Sequence, residues 1–393
     1  MNKTIEAYLN KVSKNIIDHS TYTFKSKGYS VYIDRLGNRF LKADDGSFHL
    51  LFNKASGWTG KWGKTFDDDP PYCPFGNEIA DIEITKMCRG IRNKDGKRTP
   101  CPWCYKSNSP TGTFMNFETF KNIFNTLNAQ STMTQIAFGV DAEASDVLNP
   151  DIWKIMDYTI QNGVTPNITV ADIDEHTAKN LVKRCGAIAV SMYGLIDKNR
   201  CYDTVRLLLD EAKKIGKNMS INIHCLLSKE TYESVFELMN DRLTDKRLEG
   251  MGAIVFLSLK QKGRGEYFNR ITDNEFKKII DIAFEKQISI GFDSCSAQKF
   301  LKAIKDYPNA KEMETLTESC EGCCYSLYID ANGMFYPCSF MEKEGEWKTG
   351  IDMTKVEDFI TEVWNEERVV KWRNASIKCI ECNGCNMCKF YNV

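Results

Sequence analysis

The spacing of apolar and polar positions divides this 393-residue chain into three regions. Its amino terminus, "MNKTIEAYLNKVSKNIIDHS", alternates apolar and charged residues at helical spacing and predicts a helix. "YSVYIDRLGNRFLKADDGSFHLLF" then reads as short strands joined by Gly-containing turns, a small β element. The following "SGWTGKWGKTFDDDPPYCPFGN" reads as a loop by its Gly, Asp and Pro content. From about Asp81 to Phe300, short β-rich runs such as "ADIEIT", "TQIAFGV", "NITVAD" and "AIAVSMYG" alternate with longer amphipathic ones such as "FETFKNIFNTLN" and "TVRLLLDEAKKIG". Repeated strand–helix units predict parallel strands with crossover helices, hence an α/β barrel or partial barrel. Functional residues of such barrels gather at the carboxyl ends of the strands. Beyond it, Asp330-Ala331-Asn332-Gly333 signals a β-hairpin, and "TKVEDFITEVWNEERVVKW" reads as helix. The expected boundaries are 1–78, 79–310 and 311–393.

Charge and composition narrow the chemistry. Lys plus Arg number 52 against 53 Asp plus Glu, so the chain has no global electrostatic footprint for nucleic acid or an anionic membrane. The amino terminus lacks the apolar core of a signal peptide, and no run is long enough to span a bilayer. A cytoplasmic protein without a membrane partner is expected, and there the 16 cysteines point to metal rather than to disulfides. Gly63-Lys64-Thr65 brushes against a phosphate-binding loop, but Trp58 stands where that motif needs an earlier glycine.

Cys88, Cys101 and Cys104 lie in "EITKMCRGIRNKDGKRTPCPWCYKSN", directly after the first barrel strand. Three thiolates there can hold three irons of a four-iron cluster and leave the fourth open, while the C-x2-C pair suits structural zinc equally well. The run Cys-x-aromatic-Cys, with Trp103 before the last cysteine, resembles the radical S-adenosylmethionine (SAM) family, with C-x12-C in place of the common C-x3-C. The insert is polar, Gly-bearing and ends in Pro, as a surface loop enlarged between two ligands would be.

That resemblance implies a partial (β/α)6 TIM-type barrel with a SAM-binding [4Fe-4S] cluster, and it assigns roles at the strand ends. Gly139 would let the SAM methionine approach, with Asp141 or Glu143 as acceptor. Ser191 and Asn222 align with polar SAM contacts, and Tyr193 could stack or donate; His224 shares the Asn222 face and reads equally as a core histidine. Ser258, Lys260 and the basic glycine loop after them could receive an acidic or peptide substrate. Asp293 and Cys295 fall near the barrel top, where Cys295 is a candidate hydrogen or proton donor or a plain buried thiol.

Eight cysteines crowd the last quarter: Cys320, Cys323, Cys324, Cys338, Cys379, Cys382, Cys385 and Cys388. C-x9-G-x4-C, from Cys323 through Gly333 to Cys338, resembles the SPASM/twitch extension of radical SAM enzymes. The final spacing is compressed relative to that extension. One or two auxiliary [4Fe-4S] clusters follow by resemblance, with two structural zincs as the alternative. The resemblance further implies reductive cleavage of SAM to a 5′-deoxyadenosyl radical, hydrogen abstraction from a substrate, and an electron donor such as flavodoxin or ferredoxin. A ribosomally made peptide is the favoured substrate, acquiring a crosslink, thioether or epimer, since the β element could dock an extended leader by strand addition. A small-molecule radical oxidoreductase, a sulfatase-maturase-like enzyme and a non-catalytic zinc ribbon remain alternatives.

Overall fold

The computed structural model describes residues 3–92, 97–139, 148–193, 198–382, 388 and 390, and the side chains of all of these except 3, 91, 92 and 379–382. Helix α1 (Lys3–Asp18) leads into an antiparallel sheet of β1 (Ser20–Ser26), β2 (Tyr29–Asp34), β3 (Arg39–Ala43), β4 (His49–Asn53) and β5 (Trp58–Trp62), paired in chain order. Strand β5 falls in the segment expected to be loop. Pairing with β4 overrides its glycine content, and Trp62 stacks on His49 at 5.3 Å while burying all but 6% of its surface. The Gly63-Lys64-Thr65 turn that follows is closed by Asp68, which accepts from Thr65 N at 2.7 Å and puts a carboxylate where a phosphate would sit.

The barrel follows as β6 (Ile79–Glu83), the two-residue strands β7 (Ile91–Arg92) and β8 (Arg98–Thr99), α2 (Phe117–Asn128), β9 (Gln135–Gly139), α3 (Ile152–Gln161), β10 (Thr165–Val170) and α4 (Glu175–Arg184). It continues through β11 (Ala187–Met192), α5 (Lys198–Lys214), β12 (Ser220–Leu227), α6 (Tyr232–Thr244), β13 (Ile254–Ser258), α7 (Asp273–Glu285), β14 (Ile290–Phe292) and α8 (Ala297–Ile304). Strands β6 and β9–β14 run parallel, side by side in chain order, so their carboxyl ends share one rim. On β12, Ile221, Ile223, Cys225 and Leu227 join the main core beneath the helices. The alternate positions Asn222, His224 and Leu226 therefore face the barrel axis. Among the described residues no helix is long and apolar enough to cross a membrane.

The short helix α9 (Ala310–Glu314) leads to the expected hairpin of β15 (Ser326–Ile329) and β16 (Met334–Tyr336), then β17 (Ile351–Asp352) and α10 (Glu367–Cys382). Gly333 takes φ +81° at the turn, and Asp330 Oδ1 accepts from Asn332 N at 2.8 Å and Met334 N at 3.0 Å. Strand β15 pairs parallel with β6, so the carboxyl-terminal region extends the barrel's own sheet to ten strands. Helix α10 runs beyond the expected helical stretch and carries the backbone of Cys379 and Cys382.

The amino-terminal sheet covers the amino end of the barrel. Arg39, 2% exposed, donates to Ser131 O at 2.8 Å, Met133 O at 2.5 Å and Gly163 O at 3.1 Å, carbonyls that precede β9 and β10. Tyr29 reaches Gln130 O at 2.8 Å, and Lys61 pairs with Glu78, just before β6, at 3.7 Å. The opposite, carboxyl rim is left to the cysteine loops.

Candidate active site

Strand β6 delivers the chain to the first cysteine loop. Cys88 is buried, its N–H donating to Ser109 O at 2.9 Å, and its Sγ accepts from Gly90 N at 3.2 Å. The twelve-residue insert folds back on itself, Ile91 pairing with Thr99 and Arg92 with Arg98. Gly90, at φ +80°, lies so close to this return arm that a Cβ would stand 1.9 Å from Thr99 O. The ribbon thus holds the approaches to Cys88 and Cys101 side by side despite their separation in sequence. A turn closed by Cys104 N donating to Cys101 O at 3.3 Å brings in the third thiol.

The loop after β13 clamps this turn from above. Arg264 Nε donates to Cys101 O at 2.7 Å and its backbone N–H to Cys104 O at 3.1 Å, while its Nη atoms reach Asn108 O at 3.3 and 3.4 Å. Gly263, at φ +56°, permits the approach, since a Cβ would lie 2.5 Å from Tyr105 O. Lys262 donates to Phe340 O at 2.8 Å and Glu342 O at 2.5 Å. The basic glycine loop expected to receive substrate therefore commits these two cations to holding other loops.

Beneath the turn, Trp103 forms an interior cluster with Leu226 and Leu259, flanked by Cys101, Tyr193 and Phe268. Its ring lies 5.5 Å from that of Tyr193, whose hydroxyl donates to Ser191 Oγ at 2.8 Å. The predicted Trp103, Ser191 and Tyr193 are thereby brought together with the cysteine loop. Trp103 Nε1 and Asn108 Nδ2, on and just after the cysteine loop, are buried without a hydrogen-bond partner among the described residues. Gly139 ends β9 with nothing among the described residues within 4 Å of where a Cβ would be; Asp141 and Glu143 lie outside the described residues. The buried Cys88, the partly buried Cys101 and Cys104 and the orphaned donors beside them fit a cluster with a polar organic ligand next to it.

Asn222 belongs elsewhere. It is the third residue of the eight-residue β12, and its Oδ1 accepts from Ala253 N at 2.9 Å, ahead of β13. This places it at the amino end of the barrel, away from the cysteines, and corrects its expected SAM contact. His224 sits one pleat higher, and burial pushes its imidazole down to about 4, so it is neutral at pH 7.

Two buried networks at the rim were not anticipated. Glu83, the last residue of β6, accepts from Tyr328 OH at 3.0 Å and lies 3.4 Å from Lys106 Nζ, which also pairs with Glu342. Desolvation raises the Glu83 carboxyl above its ordinary range, and Lys106 opposes that shift. Lys86 binds Asp330 at 2.8 Å alongside. These contacts lock the cysteine loop, through Lys106 two residues past Cys104, to the carboxyl-terminal hairpin. The legible signal was a charged residue at an inward strand position. In the second network, Lys260 Nζ donates to Asp293 Oδ2 at 2.7 Å and to Ser258 O at 2.9 Å, and Ser258 and Ser296 share a 2.7 Å hydrogen bond.

In the carboxyl-terminal region, burial raises the thiols of Cys320, Cys323 and Cys338 above their ordinary range. Cys323, Cys388 and the partly buried Cys320 and Cys338 pack with the main core. Cys324 turns the other way, into a small core with Cys73, Tyr29 and Phe48. The side chains of Cys379 and Cys382, and the whole of Cys385, lie outside the described residues. Among the described residues no three His, Cys, Asp or Glu side chains converge on a single metal-ion position.

Residues 320–389 match SPASM, an iron–sulfur cluster-binding domain. No curated protein matches the chain in sequence. Among solved structures, Streptococcus suis SuiB bound to precursor peptide SuiA is 11% identical, aligns over 93% of this chain and 94% of its own, and superposes with a TM-score of 0.63. SuiB bound to S-adenosylmethionine is 12% identical, with 90% of each chain covered and a TM-score of 0.56. These likenesses establish the fold: a parallel partial barrel of this type continued by an iron–sulfur carboxyl-terminal domain.

Proposed function

We propose that this chain is a radical SAM enzyme that modifies a ribosomally synthesised peptide, with an auxiliary-cluster domain of the SPASM type. The observation that carries the reading is the cysteine loop itself. A folded-back insert holds Cys88, Cys101 and Cys104 at the carboxyl rim of a barrel whose sheet is continued by an iron–sulfur domain. Cys88, Cys101 and Cys104 would hold the cluster, which with SAM bound would supply a 5′-deoxyadenosyl radical for hydrogen abstraction. The protein's own residues then have distinct tasks. Arg264 fixes the carbonyls of Cys101 and Cys104 and Trp103 and Tyr193 wall the site, where Ser191 and Gly139 would meet SAM. Leu226 and Leu259 keep that wall apolar and exclude water from the reacting carbon.

The peptide reading draws support from the whole-length likeness to a structure holding a precursor peptide. It also has a place to dock one. Strand β1 forms one end of the five-stranded sheet, with largely exposed residues, and an extended leader can add to its outer side. That sheet covers the barrel's amino end while the cysteines sit on the other rim. A cytoplasmic enzyme served by a flavodoxin or ferredoxin fits this chemistry.

Anaerobically purified protein, reduced and given SAM, is expected to release 5′-deoxyadenosine and to carry iron and sulfide. Replacing Cys88, Cys101 and Cys104 together by Ala should abolish that release while iron remains at the auxiliary domain. Incubation with precursor peptides should yield a dehydrogenated mass for a crosslink or thioether, or deuterium uptake from labelled water for an epimer. Zinc without sulfide, and no deoxyadenosine, would establish the non-catalytic zinc-ribbon alternative instead. Turnover of small alcohols with every peptide left unmodified would move the substrate to the small-molecule class.

A further inference from the structure

Strand β6 carries a carboxylate that the cysteine loop does not use. Ala80 and Ile82, both fully buried, join the main core beneath the helices, so Asp81 between them faces the barrel axis together with Glu83. Glu83, at the rim, is paired with Lys106 and bonded by Tyr328. Asp81 lies one pleat deeper, about 7 Å further from the rim. Among the described residues it has neither a hydrogen bond nor an ion pair, and desolvation alone pushes its carboxyl up to about 6, leaving it mostly ionised at pH 7.

No cation among the described residues answers that charge. Lys106 is taken by Glu83 and Glu342, and Lys260 by Asp293, two residues before the buried Cys295, whose thiol desolvation keeps protonated. Tyr105 and Cys338, within electrostatic reach of Asp81, carry no positive charge, and His224, facing the same axis from β12, is neutral. The flanks of the carboxylate are small or already engaged. Its neighbours in register are Tyr328 on β15 and Ala137 on β9. Tyr328 turns its hydroxyl up to Glu83, and Ala137 offers only a methyl group. Asn167, next along on β10, commits its amide to Gln135 Oε1 at 2.9 Å and to Ala187 N at 2.8 Å. Asp81, Ala137 and Asn167 each keep part of their surface exposed although they stand mid-strand inside the barrel, so they border an internal space. A desolvated carboxylate without a counter-ion weakens the fold, a loss that is offset when a cation enters beside it.

We propose that Asp81 binds a positively charged side chain of the substrate, a lysine or arginine near the residue that is modified, inside the barrel beneath the cysteine loop. The assignment rests on the peptide reading and narrows it to peptides with a basic residue at the reacting end. The ammonium of SAM offers the same chemistry, but the cysteine loop departs beyond the rim residue Glu83, one pleat above Asp81. Depth therefore favours the substrate as the source of the cation.

The test uses the anaerobically purified full chain without reductant and two probes, N-acetyl-lysine methylamide and N-acetyl-norleucine methylamide, which differ only in the terminal ammonium. Ligand-observed NMR should show the lysine probe binding at least about tenfold more tightly, the effect of one charge-assisted hydrogen bond. Asp81→Asn should erase that preference. Its urea midpoint at neutral pH should equal or exceed that of the wild type, because no partner is lost and an unpaired charge is removed. Equal binding of the two probes by the wild type, or a lowered midpoint in Asp81→Asn, would overturn the assignment. A preference that survives Asp81→Asn while SAM binding weakens would overturn it too, and would give the cation to SAM. Probe binding needs no turnover, so failure of the reduced wild type to release 5′-deoxyadenosine would separately overturn the radical reading beneath it.

Discussion

Replacing Arg264 by Ala removes the side-chain clamp on the cysteine loop while leaving every thiol in place. Its Nε bond to Cys101 O, 2.7 Å long, is charge-assisted and contributes about 1.5–3 kcal/mol. The Nη contacts to Asn108 O, at 3.3 and 3.4 Å, are long and add little. The backbone bond to Cys104 O survives any substitution. A net loss near 2 kcal/mol lowers the ratio of loops in ligand geometry to loops out of it roughly 30-fold. Iron at the Cys88, Cys101 and Cys104 site should fall on gel filtration, and the initial rate of 5′-deoxyadenosine release should drop in proportion to the iron lost. Arg264→Lys keeps the charge but not the planar fork, and should lie between the two. Arg242, whose Nη2 bonds Met251 O at 3.1 Å ahead of β13, provides a comparable arginine–carbonyl bond at the other end of the barrel. Full iron and full rate in Arg264→Ala, or an equal loss in Arg242→Ala, would refute the clamp.

Three further outcomes follow from buried groups. His224 titrates near 4 in the folded protein against 6.5 unfolded, so folding stability is lost as pH falls from 6.5 towards 4, by up to ~3 kcal/mol; urea unfolding of His224→Asn across that range should show a flatter profile, and an unchanged one would mean that the ring is solvated. Arg39→Ala strands three carbonyls at the barrel's amino end and should cost roughly 3–5 kcal/mol in the same assay, with a loss below about 1 kcal/mol counting against the capping argument. Lys106→Met leaves Glu83 and Glu342 facing one another in the interior, a penalty of about 3–5 kcal/mol. Adding Glu342→Gln should restore part of it, and strict additivity of the two changes would show that the groups are not coupled.

The barrel was legible because two periodicities alternate cleanly. On β12 the outward Ile221, Ile223, Cys225 and Leu227 sit under helices whose own apolar stripes, such as Cys201, Val205, Leu208 and Ala212 on α5, recur at helical spacing. Strand order follows from chain order, so a loop leaving the carboxyl end of β6 falls on the rim shared by the other parallel strands. What alternation cannot supply is height along a strand. Asn222 and His224 were correctly given one face, but β12 runs on to Leu227, and Asn222 falls at its foot. Strand β5 was hidden because its pairing with β4 is a tertiary contact that a Gly- and Trp-bearing segment does not announce. The Arg264 clamp and the Lys106–Glu83–Glu342 lock join residues more than 150 and more than 230 positions apart, and no local pattern encodes such partners.

The pairing of β15 with β6 has a consequence for how the chain is made. Strand β6, which delivers the cysteine loop, has β9 on one side and β15 on the other, so its second neighbour is synthesised almost 250 residues later. Until then the nascent barrel presents an open strand edge, the kind of surface that recruits stray strands and aggregates. The long-range closure also makes this step slow relative to the local strand–helix units around it. A product ending at residue 310 would keep that edge exposed for good, so loss of the carboxyl-terminal domain should be felt first as insolubility and only afterwards as missing metal.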